Sequence, residues 1–271
     1  MCFKKPLTLD EQIEHLKCSK NIVFNKISEE EAKEILLKYN YINVISPFKY
    51  YYAKKEKGIP IKCNNNGVDS YIYEKEVDFA DYYERYCNER EKYPIIFKNI
   101  LSFETQFNAI VSYNIMVEYN IDSIEKFKYF IDCLYDDLDK LNVNKQRKQN
   151  MKKHINEIAK NVFKYSSVYI TLDRLTLGQL LTVFVCLEGD IKHGIFVELN
   201  KRELTFKTVN INQFENVLFD VISIRNCISH KNSLEIKILF YNVKNNIMRS
   251  KRDKKRIKKL ISLLSEHEKR E

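Results

Sequence analysis

Arg225-Asn226-Cys227-Ile228-Ser229-His230 places a guanidinium five residues ahead of an imidazole. Arginine neutralises a phosphate oxyanion, and histidine titrates close enough to neutrality to give or take a proton. Together they suffice to cleave RNA without a metal or other cofactor, the 2′-hydroxyl of the RNA acting as nucleophile. Asn226 lies four residues before His230, on the same side of a helix, where its amide can orient the ring. The competing reading makes His230 a cation at a helix C-terminus, favoured by the helix dipole. His15, His154, His193 and His267 have no comparable neighbours and read as surface residues.

These residues need a helix to hold them. Phe214, Val217, Leu218, Val221, Ile224 and Ile228 recur at helical spacing, and Arg225 falls in the middle of their stripe. An unpaired guanidinium buried there would cost on the order of several kcal/mol, so a partner is expected. The helix after Pro94 offers one. Phe97, Ile100, Leu101, Phe107, Val111 and Ile115 form its stripe, with Glu104 at the centre. A Glu104–Arg225 pair, within one chain or across a dimer, would satisfy both charges. Such a pair is either part of a working site or a device that only fixes helix register.

Thr8 to Glu11 and Ser28 to Glu31 read as capping boxes that start helices over about 9–18 and 29–39. A Tyr-rich stretch follows, with Pro47, Gly58, Pro60 and Asn64-Asn65-Asn66-Gly67, and predicts loops or short hairpins. Asp78 opens a helix to about Glu91, and Pro94 precedes a long one to about Tyr119. Ser123 caps a helix to about Leu141, and a basic helix runs from about Lys145 to Lys164. Thr176 to Gln179 is a further capping box, Asn212 caps the helix reaching His230, and a last amphipathic helix begins near Ser250. The expectation is a mainly helical, all-α chain in three parts: an N-terminal region (1–77), a helical core (78–245) and a basic C-terminal helix (246–271).

Composition agrees. Only 5 Gly and 4 Pro in 271 residues are too few for a turn-dense β fold or a Gly-rich phosphate loop. Hydrophobic residues at 44% argue against wholesale disorder. Seven scattered cysteines, none in a C-x-x-C pair, support neither a zinc cage nor a disulfide framework. Asp10 and Glu11 interrupt the start before an apolar leader can develop, and no run approaches a membrane span. A reduced cytoplasmic protein is expected, with no membrane association.

The net charge of +9 is concentrated. Arg249, Lys251, Arg252, Lys254, Lys255, Arg256, Lys258 and Lys259 surround one acid, Asp253, giving net +7 within eleven residues. Ile257, Leu260, Ile261 and Leu264 give the same segment one apolar side. Lys145, Arg147, Lys148, Lys152 and Lys153 form a second cluster, and Lys231 follows His230 directly. These positions are the candidates for tracking RNA phosphates, against the alternative of a solvated helix face.

Several motifs together resemble a known family. Arg225 to His230 is similar to the R-polar-x3-H signature of the HEPN superfamily of metal-independent ribonucleases. Lys5 to Ile13, and Tyr41 through Pro47-Phe48, resemble the opening of the Abi-like (AbiD/AbiF) abortive-infection family. Leu175-Thr176-Leu177-Gly178-Gln179-Leu180 resembles that family's internal "ltfGqL" element, and Glu104 falls at its "IExxL" glutamate. The likeness spans about residues 4–240, in the family's order. It implies a HEPN-like helical bundle with phage-defence or toxin-like activity on RNA, and a homodimer that brings two R-x4-H motifs to one cleft. It also implies a second possibility, a non-catalytic RNA-binding protein associated with a small non-coding RNA. A purely structural helical adaptor would leave the basic segment without a purpose. Lys231 stands where the family often has a second His, Ser229 where Ala is frequent, and Gln106, Phe107 and Asn108 where arginines often follow the glutamate. These departures bear on catalysis more than on fold.

Overall fold

The computed structural model describes residues 6–65, 68–165, 167–230, 232–242 and 247–266. It is mainly helical, as expected. In chain order the elements are α1 (Leu9–Lys20), β1 (Ile22–Val23), α2 (Glu29–Tyr39), α3 (Tyr41–Val44) and α4 (Lys49–Tyr52). Strands β2 (Lys55–Glu56), β3 (Ile59–Pro60), β4 (Lys62–Asn65), β5 (Val68–Tyr71) and β6 (Val77–Asp78) follow. Then come α5 (Phe79–Arg90), α6 (Tyr93–Glu118), α7 (Ile124–Lys140), α8 (Lys145–Tyr165), α9 (Val168–Asp173), α10 (Leu177–Cys186), α11 (Gly189–Lys201) and α12 (Ile211–Ser229). The chain closes with α13 (Leu234–Leu239), β7 (Phe240–Asn242), β8 (Ile247–Met248) and α14 (Lys251–Glu266).

Two compact units form, each from two stretches of sequence: 1–94 with 227–256, and 95–226 with 257–271. Segment 78–94 thus packs with the N-terminal helices, and one unit boundary falls inside the R-x4-H motif, after Asn226.

In the first unit the capping boxes of Thr8 and Ser28 start α1 and α2 as the sequence predicts. Ile13, Leu16, Leu36, Phe48, Phe79 and Tyr82 are buried together there. The Tyr-rich stretch makes two antiparallel hairpins, β2–β3 and β4–β5. The first turns on Lys57 and Gly58, both at positive φ, which is why glycine follows lysine there. Asp78 caps α5 through Ala80 N–H, and its other oxygen accepts the Asn25 and Lys26 N–H groups at 3.0 and 3.1 Å.

In the second unit, Phe103, Phe107, Phe184, Phe196 and Phe214 pack around the meeting of α6, α10, α11 and α12, several of them edge to face. The buried face of α6 is Ile96, Ile100, Phe103, Phe107, Val111 and Ile115. This shifts the expected stripe: Leu101 is 42% exposed, and Glu104 flanks the buried face rather than occupying its centre.

Candidate functional site

Helix α12 starts slightly earlier than expected. Asn210, not Asn212, is its cap, with Gln213 N–H donating to Asn210 Oδ1 at 2.9 Å. Phe214, Leu218, Val221 and Ile224 are buried as the stripe predicts. Arg225 is half-buried, and its Nε is shielded from solvent. The helix ends at Ser229, and the Asn232 N–H closes the turn on Cys227 C=O at 2.8 Å. Asn226 and His230 are both exposed. No described residue hydrogen-bonds to either side chain, so the expected orienting bond from Asn226 is absent from the single chain. Lys231 lies outside the described residues.

The backbone just after His230 is held by Tyr93 and Glu89, two residues far from it in sequence. Tyr93 Oη donates to Asn232 C=O at 2.7 Å and accepts the Leu234 N–H at 3.4 Å. Glu89 Oε1 accepts the Ser233 hydroxyl at 2.9 Å and the Glu235 N–H at 2.7 Å, so it caps α13. Both side chains are buried. Burial pushes the Glu89 carboxyl up, against the lowering effect of the hydrogen bonds it accepts. A signal existed: Glu89 continues the Phe79–Tyr82–Tyr86 face of α5, the same anomaly that marks Glu104.

The Glu104–Arg225 pair is not made in the chain. Glu104 Oε1 instead accepts the N–H of Leu177, the first residue of α10, at 3.0 Å. A carboxylate at a helix N-terminus is stabilised by the free N–H groups and the dipole, so no countercharge is required. One turn on, Asn108 Nδ2 donates to Asp173 C=O at 2.6 Å and Ser112 donates to Asn108 Oδ1 at 2.8 Å. The two sequence elements around Glu104 and Leu175–Leu180 are therefore physically joined.

His154 is not a free surface residue. It is half-buried on α8, with Nδ1 2.8 Å from Thr182 Oγ1. Thr182 donates to Gly178 C=O at 3.1 Å, so it receives the imidazole N–H, and burial holds the ring below the ordinary histidine range. Gln179, the capping-box partner of Thr176, also donates to Glu157 at 3.3 Å. His15 is half-buried beside Tyr41, His193 is exposed as expected, and His267 lies outside the described residues.

The two basic clusters differ. On α14, Ile257, Leu260 and Leu264 are buried while Lys251, Arg252, Lys255, Lys258 and Lys259 are exposed. Lys254 is half-buried there. Arg256 pairs with Asp253 at 2.9 Å, and Arg249 donates to Lys237 C=O at 2.9 Å. On α8, Lys148 and Lys152 share Asp139 of α7 at 3.1 and 3.3 Å, and Lys153 lies 3.9 Å from Glu157. Arg147 turns inward, its guanidinium 3.9 Å from the Phe219 ring centre. Lys145 is exposed. The α8 cluster, acid-free in sequence, is thus partly offset by two carboxylates, Asp139 and Glu157.

A cavity of about 480 Å³ opens between the starts of α11 and α12, lined by Lys192, His193, Phe196, Asn210 and Glu215. It lies about 20 Å along α12 from Arg225. Among the described residues, no group of three or more His, Cys, Asp or Glu side chains could hold a metal ion, and no helix is long and apolar enough to cross a membrane.

Fold and site together define a mainly helical protein with an exposed histidine at the end of one long helix and a glutamate-capped helix start on another. The Abi-like protein family matches residues 34–234, and the chain belongs to that family, placing it in abortive-infection phage defence. No curated protein and no solved structure matches the chain.

Proposed function

We propose that this protein is an RNA-binding HEPN-type endoribonuclease of abortive infection, working without a metal through Arg225 and His230. The observation that carries the reading is the end of α12: it stops at Ser229, so His230 projects into solvent while Arg225 stays anchored on the same helix. Arg225 neutralises the phosphate as charge develops on it, and His230 transfers the proton of the attacking 2′-hydroxyl or of the leaving group. On an ideal helix the two residues point about 140° apart. A homodimer answers that geometry, with each chain completing its partner's motif.

Purified protein should cleave RNA, and Arg225→Ala and His230→Ala should each lower the rate by about 10²-fold or more. Cleavage should persist in EDTA; its loss there would overturn the metal-free mechanism. The exposed lysines of α14 supply the phosphate contacts. Replacing them should flatten log affinity against log salt by about 0.7–0.9 for each phosphate no longer engaged. The same change on α8 should flatten it less, because Asp139 already holds Lys148 and Lys152.

A second reading is favoured by the lack of any described hydrogen bond to His230 or Asn226. The protein would then bind RNA, such as a small non-coding RNA, without cutting it. RNA of discrete length that co-purifies intact, with no cleavage by the wild type, would establish this alternative.

A further inference from the structure

We propose that Tyr93 and Glu89 are positioning residues for His230, clamping the turn that carries it; this rests on the reading of His230 as the proton-transfer group. The ring receives no hydrogen bond from a described side chain, so its place is set by the backbone on either side. On one side is Cys227, buried in the last turn of α12. On the other is Asn232, fixed through both backbone groups: its N–H bonds Cys227 C=O at 2.8 Å, and its C=O takes the Tyr93 hydroxyl at 2.7 Å. The next three residues are tied as well. Leu234 N–H reaches Tyr93 Oη, while the Ser233 hydroxyl and Glu235 N–H converge on Glu89 Oε1. Tyr93 and Glu89 are 7% and 6% exposed, so water does not compete for these bonds. A proton-transfer group displaced by about 1 Å loses on the order of 10²-fold in rate, which makes a buried clamp beside an exposed histidine worth its desolvation.

The test compares Tyr93→Phe, Glu89→Ala and Glu89→Gln with wild type in three measurements: kcat and KM for RNA cleavage, the His230 ring resonances and titration by NMR, and melting temperature. Tyr93→Phe and Glu89→Ala should lower kcat by about 10- to 100-fold with KM nearly unchanged, and both should move the His230 resonances. Glu89→Gln keeps an accepting oxygen and should stay close to wild type in both. Unmoved His230 resonances and wild-type kcat in Tyr93→Phe would overturn the proposal while leaving the ribonuclease reading intact. Wild-type protein that cleaves no RNA would instead remove the ribonuclease reading. The NMR comparison then decides the clamp by itself, a shift in Tyr93→Phe supporting it and none overturning it. If Tyr93→Phe fails to fold, the contrast between Glu89→Ala and Glu89→Gln decides the proposal in the same way.

Discussion

Glu89 in the first unit and Glu104 in the second solve one problem in two ways. Each sits on or beside the apolar face of its helix, and each directs its carboxylate at the start of a later helix instead of at a basic side chain. Glu89 is fully enclosed and accepts two donors on one oxygen, within the segment that follows His230. Glu104 is half-buried and accepts one donor, and its Oε2 has no hydrogen-bond partner among the described residues. A charge on an apolar stripe therefore does not by itself predict an ion pair. The N–H groups at a helix start are a sufficient destination, and how completely the carboxylate is buried decides how much depends on it.

The largest effect that would sharpen this contrast is truncation. Glu89→Ala leaves the Ser233 hydroxyl and the Glu235 N–H without their acceptor in a closed site, at a cost on the order of 1–3 kcal/mol. Glu104→Ala removes one cap from a helix that keeps its own Thr176–Gln179 capping box, so about 0.5–2 kcal/mol is expected, toward the lower end. Melting temperatures should therefore fall further for Glu89→Ala. The reverse order would mean that burial does not set the difference.

A smaller effect appears in pH dependence. Burial raises the Glu89 carboxyl above its ordinary 4.5, with the neighbouring Glu235 carboxylate adding to the rise, while the bonds from the Glu235 N–H and the Ser233 hydroxyl oppose it. A raised carboxyl binds its proton more tightly in the folded chain than in the unfolded one. Its stabilisation is complete below about pH 4.5 and is lost as pH climbs through the raised folded value. Glu89→Gln cannot titrate, so its melting temperature relative to wild type should rise between pH 4.5 and 7. A constant difference across that range would contradict the raised carboxyl. His154 has the opposite sense. Its ring is depressed below 6.5 by burial, so its contribution is present above that pH and lost as pH falls through the folded value. His154→Gln should remove that acid-side loss.

The difference between the two glutamates was only partly legible in the sequence. Helix starts were readable at Thr8, Ser28, Asp78, Ser123 and Thr176, whose side chains cap the helices that follow, but not at Ser167 or Asn210, which cap α9 and α12 without a longer pattern to mark them. Helix α11 carries no such mark, because Glu188 precedes it without a side-chain cap bond, and the six residues of α9 and of α13 hold too little periodicity. The end of α12 near His230 followed from local spacing. The clamp did not, because Ser233 and Glu89 are 144 residues apart and nothing local says where a buried carboxylate will find its donors. The pairing of Lys148 and Lys152 with Asp139 was hidden for the same reason: the acid comes from another helix.

The smallest expected effect tests the comparison most directly. Glu104→Gln keeps an oxygen for the Leu177 N–H and discards only the charge. If the side chain serves as a helix cap, the loss is the charge–dipole part, about 0.3–1 kcal/mol, the same at every protein concentration. If Glu104 met Arg225 of a second copy across a dimer, the same substitution would leave a guanidinium facing a neutral amide. Breaking such a buried pair costs about 3–5 kcal/mol and would shift the dimer equilibrium, so melting would become concentration-dependent. Thermal melts of Glu104→Gln over a wide range of concentration separate the two. A large, concentration-dependent loss would return Glu104 to the role of ion-pair partner, and its likeness to Glu89 would then be confined to the isolated chain.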